Sequence, residues 1–256
     1  MNDKSKKEAD FGYKKVNPNE KPDLVKGVFD SVASKYDLMN DVMSVGIHRL
    51  WKKATVQMSN LKANDSVLDV AGGTGDMAIL FSEIVGDQGK VFLTDINEKM
   101  LEIGRDRVLD SGLLNVKSLV ADAEDLPFPD NSFDVLVNVE SSHCYGDVTK
   151  FLKESYRVLK KDGYFLFCDF RTADGLQELY DQFSSSELKF LNRIDITDNI
   201  IKGLDKLSKY REDHIDESVS VFIRKLFKTY AGIKGTEIYN SFVNGSMIYV
   251  CAILKK

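Results

Sequence analysis

The sequence predicts an α/β fold in which a doubly wound, mostly parallel sheet carries helices on both faces. Three observations predict it. From Ser66 onward, short apolar runs alternate with stretches of helical periodicity. The short runs are almost continuously apolar, as strands buried on both faces are. A turn of small residues, Ala71 to Gly75, follows the first run and leads into a helical stretch.

Residues 1–20 read as a solvated, poorly ordered tail, because MNDKSKKEAD is charged and lacks the apolar stretch of a signal peptide. Residues 21–60 read as N-terminal helices. Leu24, Val28, Val32, Tyr36 and Met39 recur at helical spacing, and Leu50, Ala54 and Met58 repeat it. The strand candidates are residues 66–71, 90–96, 116–121, 133–139 and 163–170. Between them MAILFSEIV, EKMLEIGRDRVLDSG and VTKFLKESYRVLKK suit amphipathic helices. Right-handed crossovers then place a ligand outside the carboxyl ends of the strands, near the point where strand order reverses. Residues 171–232 read as a helical cap. One stripe runs through Ile196, Ile200, Leu204 and Leu207, and a second through Val219, Phe222, Leu226 and Tyr230. Such stripes pack on the core or close over a hydrophobic substrate. SMIYVCAILKK reads as a last strand.

Hydrophobic residues make up 43% of the 256 residues, enough to bury one large core. The net charge of −5 argues against a general affinity for nucleic acid. No apolar run approaches the ~20 residues a membrane span needs. The cysteines Cys144, Cys168 and Cys251 form no metal or disulfide pattern, and they read as reduced thiols of a cytoplasmic protein.

The strongest motif is VLDVAGGTGD, residues 67–76. Gly72, Gly73 and Gly75 let the backbone bend sharply and approach a ligand, and Thr74 lies between them. The next helix offers free N–H groups. A dinucleotide fingerprint spaces its glycines G-x-G-x-x-G around a pyrophosphate. Here the turn is A-G-G-T-G-D, with acidic Asp69 just before it, which suits a ligand without pyrophosphate and with a cationic end. Asp95, with Ile96 after it, ends the second strand, where a carboxylate can accept both ribose hydroxyls. Asp122, followed by Ala123, ends the third and is placed to accept from an adenine amino group. These three strand ends describe an adenosine with a short charged tail, and S-adenosyl-L-methionine fits. No metal site is expected.

At this point the chain is similar to the class I methyltransferases, which implies a Rossmann-like, seven-stranded sheet. Residues 10–134 resemble the ubiquinone/menaquinone biosynthesis C-methyltransferase family. The stretches that carry this are FDSVASKYDLMNDVMSVGIHRLWKK, VLDVAGGTGDMA, DINEKMLEIGRD and LPFPDNSFD. The resemblance implies cofactor-binding roles for Thr74, Asp95, Asp122 and Ala123, and places the family's cofactor-side serine at about Val139. Tyr36 and Met39 close over the cofactor in the same reading. After Asp134 the family's Phe-Gly-Leu-Arg-Asn-type segment is replaced by VLVNVESSHCYGD, and residues 135–256 look more like lipid and polyketide O-methyltransferases of the phthiotriol type. All four prolines lie before residue 130. The expectation is a hybrid of two related methyltransferases, which a single family matching end to end would overturn.

The function expected is methyl transfer from S-adenosylmethionine to the ring carbon of a demethyl-quinol. The alternatives are O-methylation of a lipid, polyketide or other small-molecule hydroxyl, and a cofactor-binding hybrid without turnover. The acceptor is small and hydrophobic, aromatic or lipid-like, reached by peripheral contact with a membrane and not by a span. Such a reaction needs a base near the fourth strand end, and His143 is the candidate. Tyr145 and Asp169 would orient the substrate, Glu140 would face the cofactor, and His48 reads as structural.

Overall fold

The computed structural model describes residues 9–11, 14–16, 59–218 and 221–256. The described part of the expected N-terminal tail holds a correction. β1 (Ala9–Phe11) pairs antiparallel with β2 (Lys14–Val16), setting Asp10 directly opposite Lys15. The expected helices of residues 21–58, with Tyr36, Met39 and His48, lie outside the described residues.

The remaining strands form one seven-stranded sheet. In chain order the elements are β3 (Ser66–Val70), α1 (Asp76–Val85), β4 (Lys90–Asp95), α2 (Glu98–Asp110), β5 (Val116–Val120), β6 (Phe133–Val139), α3 (Val148–Val158), β7 (Leu159–Thr172), α4 (Ala173–Ser185), β8 (Lys189–Asp195), α5 (Thr197–Ser218), α6 (Val221–Tyr230), α7 (Glu237–Val243) and β9 (Met247–Lys255). The sheet order is β5-β4-β3-β6-β7-β9-β8. β3 to β7 are parallel, and β9 lies antiparallel between β7 and β8. Strand order reverses between β3 and β6, so their carboxyl ends flank the crevice where such sheets hold ligands.

The elements end where local chemistry allows. Asn97 caps α2 by accepting from Met100 N at 3.1 Å, and Asp147 caps α3 by accepting from Lys150 N at 3.0 Å. α3 runs straight into β7, whose Leu159 pairs with Phe133 before a register shift. The core lies on both faces of the sheet. One cluster centres on Leu136, Phe151, Phe165, Phe167 and Phe183, and another on Val67, Phe81, Val91 and Val137.

The stretch expected as a helical cap, residues 171–232, contains a strand. β8 is KFLNRID, exposed along its whole length, and it is the edge of the sheet. An edge strand has no second apolar face, so the buried-strand signature is absent from its sequence. The first stripe packs on the core: Ile196, Ile200 and Leu204 lie against Cys168, Phe242, Tyr249 and Cys251. Of the second stripe, Val219 lies outside the described residues, and Phe222, Leu226 and Tyr230 fall on α6.

The cysteine reading also changes. Cys168 and Cys251 are paired residues of β7 and β9, with Cα atoms 4.2 Å apart, and they form a disulfide; Cys144 is free. Their proximity follows from antiparallel register across 83 residues, which spacing alone does not reveal.

Phe165 is fully buried and meets Phe151 and Phe167 edge-on. Phe165→Ala should therefore cost about 3–5 kcal/mol, read as a lowered midpoint in urea denaturation with unchanged slope.

Candidate active site

The carboxyl end of β3 bends through Ala71 at φ +57°, Gly73 at φ +56° and Gly75 at φ +80°. Left-handed backbone is costly with a side chain, so two of the three positions are glycine. Gly72 is required for a different reason. A Cβ there would come 2.5 Å from both Asp69 Oδ2 and Leu93 Cδ1. Gly104 of α2 is close as well, though less so, with its Cβ position 3.1 Å from Gly73 O. The turn is thus wedged between β4 and α2, with its main chain facing outward at the strand ends.

Asp95 ends β4 and grips this turn. Its carboxylate accepts from Gly73 N at 3.0 Å and from Asn97 N at 2.8 Å. Burial raises its pKa, and the bonds from Asn97, Gly73 and Ile96 amides only partly offset that. Asp69 is 2% exposed, lies under the turn, and its carbonyl accepts from Thr94 Oγ1 at 3.0 Å. Thr74 is buried, and Arg107 donates to its carbonyl at 2.9 Å while pairing with Asp76. Ile96 is 38% exposed just beyond Asp95. Asp122 is exposed at the end of β5 and accepts from Glu124 N at 2.9 Å. Ala123 packs its methyl into the main core, and Val139 is half-buried at the end of β6. The predicted residues from β3, β4, β5 and β6 therefore meet at one edge, while Tyr36 lies outside the described residues.

A second group occupies the next strand ends. Asp169, on β7, is wholly buried. Its Oδ1 lies 2.8 Å from His143 Nδ1 and 2.9 Å from Phe170 N. Its Oδ2 accepts from Ser142 Oγ at 2.5 Å and His143 N at 2.9 Å, and lies 3.0 Å from Arg171 Nη1. Burial works against the carboxylate charge, yet His143 and Arg171 together hold Asp169 well below the usual range. Burial likewise works against the imidazolium. Asp169 outweighs it, aided by Cys144, and lifts His143 to about 10. At neutral pH His143 is thus the cationic half of an ion pair, stacked 4.3 Å from the Phe170 ring.

Tyr145 joins the two groups. Its hydroxyl lies 2.7 Å from Asn138 Nδ2 and 3.0 Å from Ser141 Oγ. Burial raises its pKa most, and the charges of Asp95 on one side and Asp169 on the other add to it. Asn138 Nδ2 also reaches Val70 O at 3.2 Å, and among the described residues its buried Oδ1 has no hydrogen-bond partner. The carboxylate of Glu140, a residue expected to face the cofactor, accepts from Tyr249 of β9 at 2.7 Å. The sequence offered no sign of Asn138, Arg171 or Tyr249 as site residues, because each is brought in by strand pairing.

A glycine turn at the first strand, an acid at the end of the second, and a crevice at the reversal define the class I methyltransferase arrangement. The ubiE/COQ5 methyltransferase family model matches residues 14–249, and the chain belongs to that family. It is an S-adenosylmethionine-dependent methyltransferase. The ubiquinone/menaquinone biosynthesis C-methyltransferase UbiE of Psychromonas ingrahamii is 40% identical over 243 residues, 94% of each chain. Its counterpart in Marinomonas sp. is 45% identical over 197 residues, 76% of this chain and 78% of that one. Among solved structures, geranyl diphosphate C-methyltransferase from Streptomyces coelicolor A3(2) superposes with TM-score 0.63 at 16% identity, covering 81% of this chain and 79% of that one. The [4+2]-cyclase SpnF gives TM-score 0.65 at 18% identity over 80% and 79%. These two likenesses concern the fold alone. One family spanning both halves overturns the hybrid expectation: residues 135–256 belong with residues 10–134.

Gly72→Ala should displace Asp69 and Leu93 and lower stability by about 1–3 kcal/mol, measurable as a drop in melting temperature.

Proposed function

We propose that this protein transfers the methyl group of S-adenosylmethionine to a ring carbon of a demethyl-quinol. The cofactor would lie across the β3, β4 and β5 ends. Asp95 would take the ribose hydroxyls, Asp122 the adenine amino group, and the main chain of Gly73 to Gly75 the amino-acid tail, beside Asp69. Ile96, Ala123 and Val139 would complete its surroundings. The residues fit such a ligand in two respects. The turn is kept clear by a glycine whose Cβ has no room, and Asn138 Oδ1, near it, is a buried acceptor with no donor among the described residues. When bound, the cofactor supplies an electrophilic methyl on a sulfonium.

The observation that carries the acceptor assignment is the His143–Asp169 pair, one strand beyond the reversal from the glycine turn. A ring carbon becomes nucleophilic when the hydroxyl next to it loses its proton. His143 would take that proton. With its conjugate acid titrating at about 10, the imidazole is protonated at neutral pH, so only its small neutral fraction, which grows as pH rises, can take the proton. Asp169 would hold the ring in the tautomer that presents the other nitrogen to the acceptor and would balance the imidazolium that forms. Phe170, packed on the imidazole, keeps water from that face. The relatives named for C-methylation favour carbon over oxygen as the acceptor. Nuclear magnetic resonance of the methylated product decides it, since an O-methyl ether would overturn the carbon assignment.

His143→Ala should lower kcat by about 10²–10⁴-fold and leave cofactor affinity unchanged. Because the ring must be neutral to act, kcat/KM of the wild type should rise with pH toward about 10. The groups facing the ring are Asp169, with Arg171 behind it, and Cys144. Asp169→Asn removes the dominant one, so its rising limb should move down toward the ordinary histidine value of 6.5. An unmoved limb would exclude His143 as the base. Asp95→Ala should weaken S-adenosylmethionine binding in isothermal calorimetry, and unaltered affinity would remove Asp95 from the ribose site.

A further inference from the structure

We propose that Glu140 and Tyr249 form a second hydroxyl-binding point of the acceptor site, so that the enzyme prefers rings carrying two hydroxyls to rings carrying one. The inference rests on the acceptor reading above and deepens it.

Glu140 is the residue after β6, and its backbone is left-handed, at φ +52°. That conformation disfavours a side chain such as glutamate, and it persists where surrounding structure enforces it, most often at functional sites. Its amide is fixed by Cys168 O at 2.8 Å. The strained turn sends the side chain across β7 to Tyr249 on β9, 109 residues away in sequence. Tyr249 is itself held firmly. It is 3% exposed, its amide donates to Thr197 Oγ1 at 2.9 Å, and its carbonyl accepts from Ile196 N at 2.9 Å. Burial, and then the charge of Glu140, keep its hydroxyl protonated. The hydroxyl therefore donates, and Glu140 is the acceptor.

Glu140 itself is exposed, so a ligand at the strand ends can reach its carboxylate. The aromatic row places the pair beside the proposed base. Phe170 stacks on His143 at 4.3 Å and meets Tyr249 at 6.2 Å, and Phe170 and Tyr249 are paired residues of β7 and β9. Phe170 thus touches both the ring held by Asp169 and the tyrosine held by Glu140. Asp169 acts through His143 on the hydroxyl that loses its proton. Glu140 accepts the proton-bearing hydroxyl elsewhere on the same ring, while Tyr249 fixes the carboxylate's direction. A ring with one hydroxyl and one ether leaves Glu140 with an ether oxygen, which has no hydrogen to donate.

The test compares the wild type, Glu140→Gln, Tyr249→Phe and Glu140→Gly under anaerobic conditions. The acceptors are a 2-alkyl-1,4-naphthohydroquinone and its two monomethyl ethers. The wild type should favour the dihydroxy ring. Glu140→Gln should lose about 10–100-fold in kcat/KM on that ring, the worth of a charged hydrogen bond, and far less on the ethers. Tyr249→Phe should show the same pattern more weakly. Glu140→Gly relieves the backbone at φ +52° but leaves the buried Tyr249 hydroxyl without its acceptor, so its melting temperature should fall; paired with Tyr249→Phe, which removes that hydroxyl, the double variant should regain stability and still lose the preference, which a merely structural residue would not do. A preference unchanged in the Glu140 variants would overturn the inference while leaving the acceptor reading in place. Wild-type protein that methylates none of these rings would overturn the acceptor reading, and this inference with it.

Discussion

A carboxylate with no access to water must be surrounded by donors, and Asp169 organises the acceptor half of the site for that reason. It draws the 139–147 loop down onto β7 through Ser142 and both the ring and amide of His143. It also directs Arg171 back toward Ser142, whose hydroxyl Arg171 Nη2 reaches at 2.8 Å. The imidazole is thereby fixed in place, and its proton affinity rises with the same contact. Removing the carboxylate would release the loop and lower the basicity together, so orientation and proton affinity are one property of this site.

The cofactor half is organised by close approach in place of charge. The turn after β3 fits because Gly72 and Gly104 let β4 and α2 come close on either side of it. Further out, Arg157 holds the loop after Asp122, donating to Leu126 O at 2.8 Å and Phe128 O at 2.6 Å. Glu124 then accepts from Gly146 N at 2.8 Å and Asp147 N at 3.0 Å, which ties that loop to the one bearing His143. The two halves share supports, and Tyr145 lies between their carboxylates.

β3, β4 and β6 were legible because burial leaves nearly continuous apolar runs; β6 matches its expected bounds, and β3, β4 and the mostly exposed edge strand β5 each stop one residue short. α1, α2 and α3 were legible from their stripes and from caps such as Asn97 and Asp147. β8 was not: its KFLNRID run is exposed along its whole length and sits between helical stretches, with neither a buried run nor a helical stripe to mark it. In the site, Asp69, the glycines, Asp95 and Asp122 are local features that follow their own strands and could be read in order. His143 could be singled out by residue type. Its bond to Asp169, the Glu140–Tyr249 contact and the Cys168–Cys251 bond depend on which strands lie side by side, and no short stretch of sequence encodes that. The hybrid reading gave way because one family spans both halves of the chain, residues 14–249.

The position of β9 has a consequence for how the molecule assembles. It is the strand made last among those described, yet it occupies an interior place, between two strands synthesised earlier. Until it emerges, β7 has an open margin and β8 has no neighbour to join, so the sheet is completed only once this strand has been made. Contacts spanning about a hundred residues, such as that of Tyr249 with Glu140, form late and slow the search. An interrupted chain would present a bare sheet margin to other copies, which makes premature termination near this strand a route to aggregation.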